Sequence, residues 1–261
     1  MEWWLIPIAA FVASLVTFFS GFGLGTLLMP IFAIWFPLEI AVALTAIVHL
    51  LNNLFKLILV ARDINWPTVI RFGLPAIFSA ALGASLLLRL SDIAPITTYT
   101  IGAKVLLITP IKLLMGCIII VFTVADLLPK AKGIAFSPKL LPLGGIVSGF
   151  FGGLSGHQGA LRSAFLIRLN LGKEGFVATG TVIACLIDFA RLGRYLGDTG
   201  SALQHLHPLQ SQKLVLVATI AAFVGAFLGN RILKKVTHQG LQKFVGTMLI
   251  VLGIAMVVGF I

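Results

Sequence analysis

Ten apolar stretches dominate this chain and limit what it can fold into. They run at roughly 3–19, 26–36, 38–61, 67–90, 105–128, 140–151, 158–170, 174–196, 212–233 and 244–261. Six of them reach the length of about 20 residues that a helix needs to cross the hydrocarbon core of a bilayer. Because 59% of the residues are apolar and only 10% are charged, a soluble domain could not shield this surface from water. The sequence therefore predicts an all-α integral membrane protein.

The chain is basic, with a formal net charge of +11, but its pattern does not indicate a nucleic-acid-binding protein. The 19 Lys and Arg residues lie singly in loops and at predicted helix ends, as expected of cytoplasmic loop anchors. Cys117 and Cys185 lie in separate apolar stretches, without the neighbours that a disulfide or a metal site requires. We therefore expect a lipid bilayer as the surroundings, no nucleic-acid partner, no metal and no other cofactor.

Two glycine-containing breaks divide the chain into similar halves. FSGFGLGTLLMPIF contains the first break and LSGHQGALRSAFL contains the second. A shift of 135 residues superposes Ser20 and Gly21 on Ser155 and Gly156, Asn53 on Asp188, and Lys56 on Arg191. Such an internal duplication is common in secondary transporters. We expect a first membrane repeat at 1–128, a basic linker at 129–139 and a second membrane repeat at 140–261.

Each half is predicted to contain a broken helix pair and three further transmembrane helices. If each broken pair is a re-entrant hairpin, the two halves are inverted, whereas full spans would make them parallel. The hairpin arrangement places about twice as many Lys and Arg residues on one side of the membrane as on the other, and the parallel arrangement divides them evenly. The positive-inside rule therefore favours hairpins, inverted halves and both termini outside.

The breaks are expected to face a cavity, because non-helical backbone at membrane depth is tolerated only where protein or water surrounds it. A half-helix that begins at a break directs its N–H groups and its positive dipole end into that cavity, which suits an anion. Ser20 and Ser155 are candidate N-caps or direct ligands. The small-residue runs SAALGAS at 79–85 and AAFVGA at 221–226 are expected instead to pack helices closely.

Polar side chains recur at helical spacing in two of the apolar stretches. They are His49, Asn52, Asn53 and Lys56 in the first half, and Asp188 and Arg191 in the second. Charged groups within a span normally face the protein interior. Other interpretations stay open, because an Asp188–Arg191 pair could only stabilise the fold and Lys56 could reach the membrane surface. The asparagines could simply bridge helices.

The second break adds His157, Gln158 and Arg162. A histidine beside a break is suited to gain and lose a proton near neutral pH, and an arginine five residues further on can face an oxyanion. Alternatively, His157 only bonds a carbonyl that the break leaves without a helical partner. Taken together, the polar groups are rich in donors and net positive, which predicts a small anionic substrate.

Motifs in both halves are similar to those of a known family. SGFGLGTLLMPIFA followed by NNLFK in the first half, and GGLSGHQGALRSAFL with KEGFVATG in the second, closely resemble the sulfite exporter TauE/SafE family of bacterial membrane permeases. The resemblance implies a carrier that is not driven by ATP. It implies export of small sulfur-containing oxyanions, such as sulfite or the organosulfonate sulfoacetate, across the bacterial plasma membrane, and no enzymatic activity.

The matched motif residues are the candidate site. The substrate-binding candidates are Ser20, Gly21, Gly23, Asn53, Lys56, Ser155, Gly156, His157, Gln158, Gly159 and Arg162, and those for coupling or a charge network are His157, Asp188 and Arg191. Gly23 and Gly25 fall opposite Gln158 and Ala160, so the two breaks are not chemically equivalent. We expect alternating access around one anion between the breaks. An anion channel and an intramembrane hydrolase using Ser155 or Ser163 with His157 remain alternatives, and homo-oligomerisation stays open.

Overall fold

Helices make up most of the computed structural model, which describes residues 2–20, 24–102, 104–128, 135–197, 209–232 and 238–261. In chain order the helices and strands are α1 (Glu2–Ser20), α2 (Leu24–Phe32), α3 (Leu38–Val60), α4 (Trp66–Ser91), β1 (Thr97–Ile101), β2 (Lys104–Ile108), α5 (Pro110–Leu127), α6 (Leu141–Ser155), α7 (Gly159–Leu166), α8 (Gly172–Gly197), α9 (Leu209–Ile232) and α10 (His238–Val257). Short 3₁₀ turns lie at Ala61–Asp63, Pro138–Leu140 and Ile167–Leu169. Each of the ten predicted apolar stretches therefore overlaps one α-helix.

Four helices within the described ranges are long and apolar enough to cross a membrane: Leu38–Ile58 of α3, and α4, α5 and α8. Shorter apolar helical segments occur at Trp4–Leu15, Lys213–Leu228 and Val245–Val257. Side-chain caps define two of the helix starts, since Asn65 accepts a hydrogen bond from the Thr68 amide and Thr109 accepts one from the Lys112 amide. The chain is a multi-pass, mainly α-helical membrane protein.

One element differs from the predicted all-α fold. Residues 97–108 form an antiparallel hairpin in which Ile101 pairs with Lys104 across a two-residue loop. Gly102 has a φ of 60°, which such tight turns require and glycine adopts readily. The prediction of a helix from about residue 105 was therefore wrong at its start. The β-branched run in TTYTI favours a strand, and α5 begins only after the Thr109 cap.

The second break is a helical hairpin. α6 and α7 contain 15 and 8 residues, so neither arm is long enough to cross a bilayer. The Phe136 amide, just before α6, donates to the Ala164 carbonyl near the end of α7, and the Phe136 and Phe165 rings stack at 4.3 Å. α7 therefore turns back along α6. In the first half, α1 packs beside α2, but residues 21–23 between them lie outside the described residues.

Helices exchange packing partners between α1–α5 (the first half) and α6–α10 (the second half). α4 packs against α6, and α1 packs correspondingly against α9, while α3 contacts α8 and α5 contacts α10. The larger apolar core joins α1–α3, α5, α9 and α10 with parts of α4, α6 and α8, and a smaller one lies between α4, α6, α7 and α8. Duplicated halves would produce such an exchange. The duplication, its inversion and the boundaries 1–128, 129–139 and 140–261 stay predictions.

The exchanged helix pairs pack through glycine. A Cβ placed on Gly83 of α4 would overlap the Phe150 carbonyl of α6, and a Cβ on Gly225 of α9 would overlap the Phe11 carbonyl of α1. Both glycines belong to the small-residue runs SAALGAS and AAFVGA. These contacts confirm the prediction that the runs allow close helix packing. The Gly83 contact brings α6 close against α4, and the Gly225 contact does the same for α9 and α1.

Candidate functional site

A carboxylate on α8 is the centre of a buried polar cluster at the contact of α3 with α8. His49 Nδ1 lies 2.5 Å from Asp188 Oδ2, and Arg191 Nη2 lies 2.7 Å from Asp188 Oδ1. Asp188 and Arg191 are fully buried, and His49 is 6% exposed. Because the carboxylate can only accept, His49 Nδ1 donates to it. One acid therefore pairs with basic side chains from both halves.

The second break contacts the same carboxylate through its glutamine. Gln158 Nε2 donates to Asp188 Oδ1 at 3.2 Å, and the Gln158 carbonyl oxygen Oε1 accepts from Arg162 Nη1 at 3.1 Å. Gln158 is buried and Arg162 is half-buried. Ser148 of α6 also donates to the Gln158 backbone carbonyl at 3.0 Å. Gln158 therefore links an acid on α8 to a base on α7, and its own backbone is fixed to α6.

Asn53 and Lys56 form the α3 side of the cluster. Asn53 Nδ2 lies 3.4 Å from His49 Nε2, the ring nitrogen that keeps a lone pair, and can donate to it. Lys56 is 8% exposed and follows Asn53 by about one turn. The Lys56 ammonium and the Arg162 guanidinium interact electrostatically. Because like charges repel, an anion between these two groups would be stabilised by both.

The cluster has more basic than acidic groups. Among the described residues it contains Lys56, Arg162 and Arg191 but only Asp188 as an acid. Arg191 Nη1 donates to the Gly152 carbonyl at 3.3 Å, whereas its Nε has no hydrogen-bond partner within the described chain. The 2.7 Å contact of Nη2 with Asp188 is an ion pair without an aligned N–H. A buried excess of positive charge with unfilled donor capacity suits a small anion.

The turn of the second break differs from the prediction at Ser155. This residue ends α6, and its hydroxyl donates to the Phe151 carbonyl one turn back, at 2.9 Å. The N-cap position of α7 is occupied by Gln158, whose side chain does not cap the helix. The prediction of Ser155 as an N-cap was therefore wrong. Gly156 adopts a φ of 79°, and a Cβ there would also lie 3.1 Å from Arg191 Nη1, so glycine fits best.

His157 does not join the cluster that its neighbour Gln158 joins. Its Nδ1 lies 3.2 Å from the Ser155 carbonyl oxygen and 3.1 Å from Ser155 Oγ, and its ring stacks on Phe122 of α5. It faces a cavity lined by residues of α2, α5 and the start of α7. The bond to Ser155 matches the alternative in which His157 satisfies a carbonyl at the break. Because the Ser155 hydroxyl donates to Phe151, its proton is not directed at His157, which disfavours the hydrolase alternative.

The first break is only partly described. Ser20 ends α1, and Gly21 and Gly23 lie outside the described residues. α2 begins beyond them, and a Cβ on Gly25 would lie 3.5 Å from the Gly156 carbonyl oxygen and 3.9 Å from His49 Cδ2. The start of α2 therefore approaches both the second break and the polar face of α3. The two breaks adjoin the same region of the protein.

Two contacts at the cluster were not predicted from the sequence. His49 belongs to the polar face of α3, but its role as the partner of Asp188 across the halves was not predicted. Tyr195, one turn beyond Arg191, donates to the Gly153 carbonyl at 2.7 Å and helps to cap α6. Its position four residues after Arg191 on the same helical face was the available signal.

Fold and site together define a multi-pass membrane protein with a buried, net-positive cluster. Residues 6–256 match the family model described as sulfite exporter TauE/SafE, so the chain belongs to this family of membrane transporters. No curated protein and no solved structure matches the chain significantly. Membership of a transporter family is consistent with the prediction that the protein is not an enzyme. The described residues contain no group of three His, Cys, Asp or Glu side chains that could hold a metal ion.

Proposed function

We propose that this protein exports small sulfur-containing oxyanions, sulfite or an organosulfonate such as sulfoacetate, across the bacterial plasma membrane by alternating access. The observation that carries this proposal is the cluster at the contact of α3 with α8, which contains the three basic side chains Lys56, Arg162 and Arg191 and the single acid Asp188. Family membership supports the substrate class, since the family is one of membrane sulfite exporters. A negative interior drives an anion outward by about 2.3 kcal/mol per charge per 100 mV, so export needs no ATP.

Lys56, Arg162 and Asn53 are the side chains that we assign to anion binding. The planar guanidinium of Arg162 can donate two parallel hydrogen bonds to a sulfite or sulfonate group, and the Lys56 ammonium adds a point charge from α3. The Asn53 amide supplies a neutral donor beside them. Because these groups come from α3 and α7, an anion between them would connect the first half to the hairpin of the second.

The two breaks line the substrate path mainly with backbone groups. We assign the following residues to this path: Ser155, Gly156 and Gly159 in the second half, and Ser20, Gly21 and Gly23 in the first. Support comes from the approach of Gly25 to the Gly156 carbonyl, which brings the start of α2 close to the second hairpin. An anion near the middle of the membrane would therefore be within reach of both breaks.

The bond between Gln158 and Arg162 is the contact that a bound substrate would replace. Its carbonyl accepts from Arg162 at 3.1 Å in this state. An anion that binds Arg162 competes for the same N–H groups and releases the Gln158 side chain. The bonds of Asp188 to His49 and Arg191 can persist, so only the hairpin changes its contacts. Binding thereby favours a second arrangement of α7, as alternating access requires.

Transport by the purified protein in liposomes tests this proposal. Uptake of labelled sulfite would be measured against sulfate, sulfoacetate and chloride, at a fixed membrane potential. We expect saturable uptake of sulfite or sulfoacetate, and accumulation of label driven by a gradient of the unlabelled anion, which a channel cannot produce. Arg162→Gln should reduce the rate by roughly tenfold or more, since a charge-assisted hydrogen bond contributes about 1.5–3 kcal/mol.

Arg168→Gln is the matched control, because Arg168 is exposed in the 3₁₀ turn after α7. It should transport like the original protein. A correctly folded protein that moves none of these anions would contradict the proposed substrate class. Uptake that rises linearly with concentration would contradict the carrier mechanism.

A further inference from the structure

A second polar cavity lies beside the hairpin, apart from the side chains of Lys56, Arg162 and Asn53 that we assign to anion binding. It is lined by Thr26 of α2, by Phe122, Thr123 and Asp126 of α5, and by His157 and residues 159–161 at the second break. Its volume has room for about one water molecule. It shares the break with the charge cluster, but the side chains of the cluster do not line it. The cavity needs an explanation of its own.

Two buried side-chain atoms on its lining residues have no hydrogen-bond partner within the described chain. They are His157 Nε2 and Thr123 Oγ1, and these residues are only 6% and 1% exposed. An unsatisfied buried polar atom costs about 1–3 kcal/mol, so such atoms usually bind water or a ligand. The cavity is therefore expected to hold a polar occupant.

The tautomer of His157 follows from the hydrogen bonds at its other ring nitrogen. Both neighbours of Nδ1 are acceptors: the Ser155 carbonyl, and Ser155 Oγ, whose own proton is donated to the Phe151 carbonyl. Nδ1 therefore carries the hydrogen in the neutral ring. Nε2 has a lone pair, and this basic nitrogen belongs to the cavity lining.

Asp126 is the acid that lines the same cavity as this base. It lies in the last turn of α5, where the helix dipole disfavours a carboxylate, and it is half-buried. Asp188 forms both of the ion pairs found among the described residues, and Asp126 takes part in neither. A half-buried acid in such a place is more stable as the neutral acid or as the donor of its proton to a nearby base.

The other charged groups around the cavity are few. α2 and α6 have no ionisable side chain. The helices packed around it carry Arg162 on α7, the ion pair of Asp188 with Arg191 on α8, Lys112 at the start of α5 and exposed Lys243 on α10. Of these, Arg191 acts electrostatically on His157. Asp188 is already paired with His49 and Arg191, whereas Asp126 is the acid among the described residues that line the cavity with His157.

We propose that this cavity is a proton site in which Asp126 and His157 exchange one proton through a water molecule, and that this proton is the coupling ion of anion transport. The Asp126 carboxyl gives its proton to the water, while the water gives one of its own to His157 Nε2. The products are an Asp126 carboxylate and a His157 imidazolium, and the water is unchanged. Since Gln158 follows His157 directly, the new positive charge lies beside the hairpin that contacts the anion site.

Proton and anion binding should then support each other, because a cation at His157 favours an anion nearby and the effect is reciprocal. The coupling rests on the proposed transport function, whereas the proton exchange between Asp126 and His157 does not. Two experiments separate them, one with transport as its measurement and one without.

The first experiment measures protons and anions together in liposomes. Labelled sulfoacetate is the probe, because its charge does not change in the neutral range, and a pH-sensitive dye reports the lumen at a fixed membrane potential. We expect the original protein to move about one proton with each anion. Asp126→Asn should reduce proton movement by about tenfold or more, while exchange of labelled for unlabelled sulfoacetate continues.

Asp92→Asn is the matched control, since Asp92 is exposed at the end of α4. It should keep the proton-to-anion ratio of the original protein. An unchanged ratio in Asp126→Asn would overturn the proposal. Loss of sulfoacetate exchange in the folded Asp126→Asn variant would also overturn it, because Asp126 would then belong to the anion path.

The second experiment follows the histidine ring signals by NMR in lipid nanodiscs across the neutral pH range, without any anion. His157→Gln identifies the His157 signal by its disappearance. Asp126→Asn should shift the titration of that signal, and Asp92→Asn should not. Identical titration in all these proteins would overturn the proton site. If the shift occurs but no anion is transported, the proton site stands and the proposed transport function fails.

Discussion

α3 and α8 face each other across the site, yet they present different chemistry at the positions that the 135-residue shift superposes. Asn53 of α3 corresponds to Asp188 of α8, and Lys56 corresponds to Arg191. On α8 the two residues contact each other at 2.7 Å. On α3 the amide bonds to His49 and the ammonium interacts with Arg162 of the other half. The same two positions are thus an ion pair in one helix and a set of donors in the other.

The difference indicates a division of roles. The Asp188 carboxylate accepts from His49 and Gln158 and forms an ion pair with Arg191, which also donates to the Gly152 carbonyl of α6. The α8 pair therefore holds α3, α6 and α8 together. Asn53 and Lys56 contribute no carboxylate that would repel an anion. We therefore expect changes on α8 to reduce stability most, and changes on α3 to reduce transport most.

The largest effect is expected from Arg191→Ala. It leaves Asp188 buried without its main cation and removes a donor to Gly152, so the free energy of unfolding should fall by about 3–5 kcal/mol. Unfolding of the purified protein in detergent, followed by circular dichroism, measures this. Arg89→Ala on the exposed side of α4 is the control and should change little. Equal stability of the two variants would refute the structural role of the α8 pair.

The second effect is expected from Lys56→Gln, which tests the other side of the division. Transport of sulfite or sulfoacetate should fall by roughly tenfold to a hundredfold, the equivalent of one lost charge-assisted bond. Stability should change by less than about 1 kcal/mol, because removing the ammonium relieves repulsion with Arg162. Exposed Lys139→Gln is the control and should transport normally. If Lys56→Gln is markedly less stable but its folded fraction transports normally, the roles assigned to α3 and α8 are reversed.

Sequence alone predicted the helical elements well because their signals are local. Hydrophobic length located the helices, and serine and glycine at 155–156 located the hairpin turn. The β-hairpin at 97–108 was missed because its strands are short and the apolar run continues from β2 into α5. The use of the Ser155 hydroxyl was also missed, since the sequence does not show which of two adjoining half-helices a serine will bond.

The sequence predicted which residues belong to the charge cluster, but not which of them contact each other. Helical spacing placed His49, Asn53 and Lys56 on one face of α3 and Asp188 with Arg191 on α8. Which residues meet across the interface depends on the angle and height at which the two helices pack, and no local pattern fixes these. For the same reason neither the His49–Asp188 contact nor the separation of His157 from Gln158 could be read from the sequence.

The smallest of the three effects is expected from Asn53→Asp, which gives α3 the residue that α8 has at the matched position. The second carboxylate would compete with Asp188 for His49 and oppose an entering anion, so the half-saturating anion concentration should rise by about three- to tenfold. Transport at a series of sulfite concentrations measures this. Asn53→Ala removes the amide without adding charge and should have a smaller effect. If both variants have the same effect, charge at this position does not decide anion binding, and the contrast between α3 and α8 is only one of hydrogen bonding.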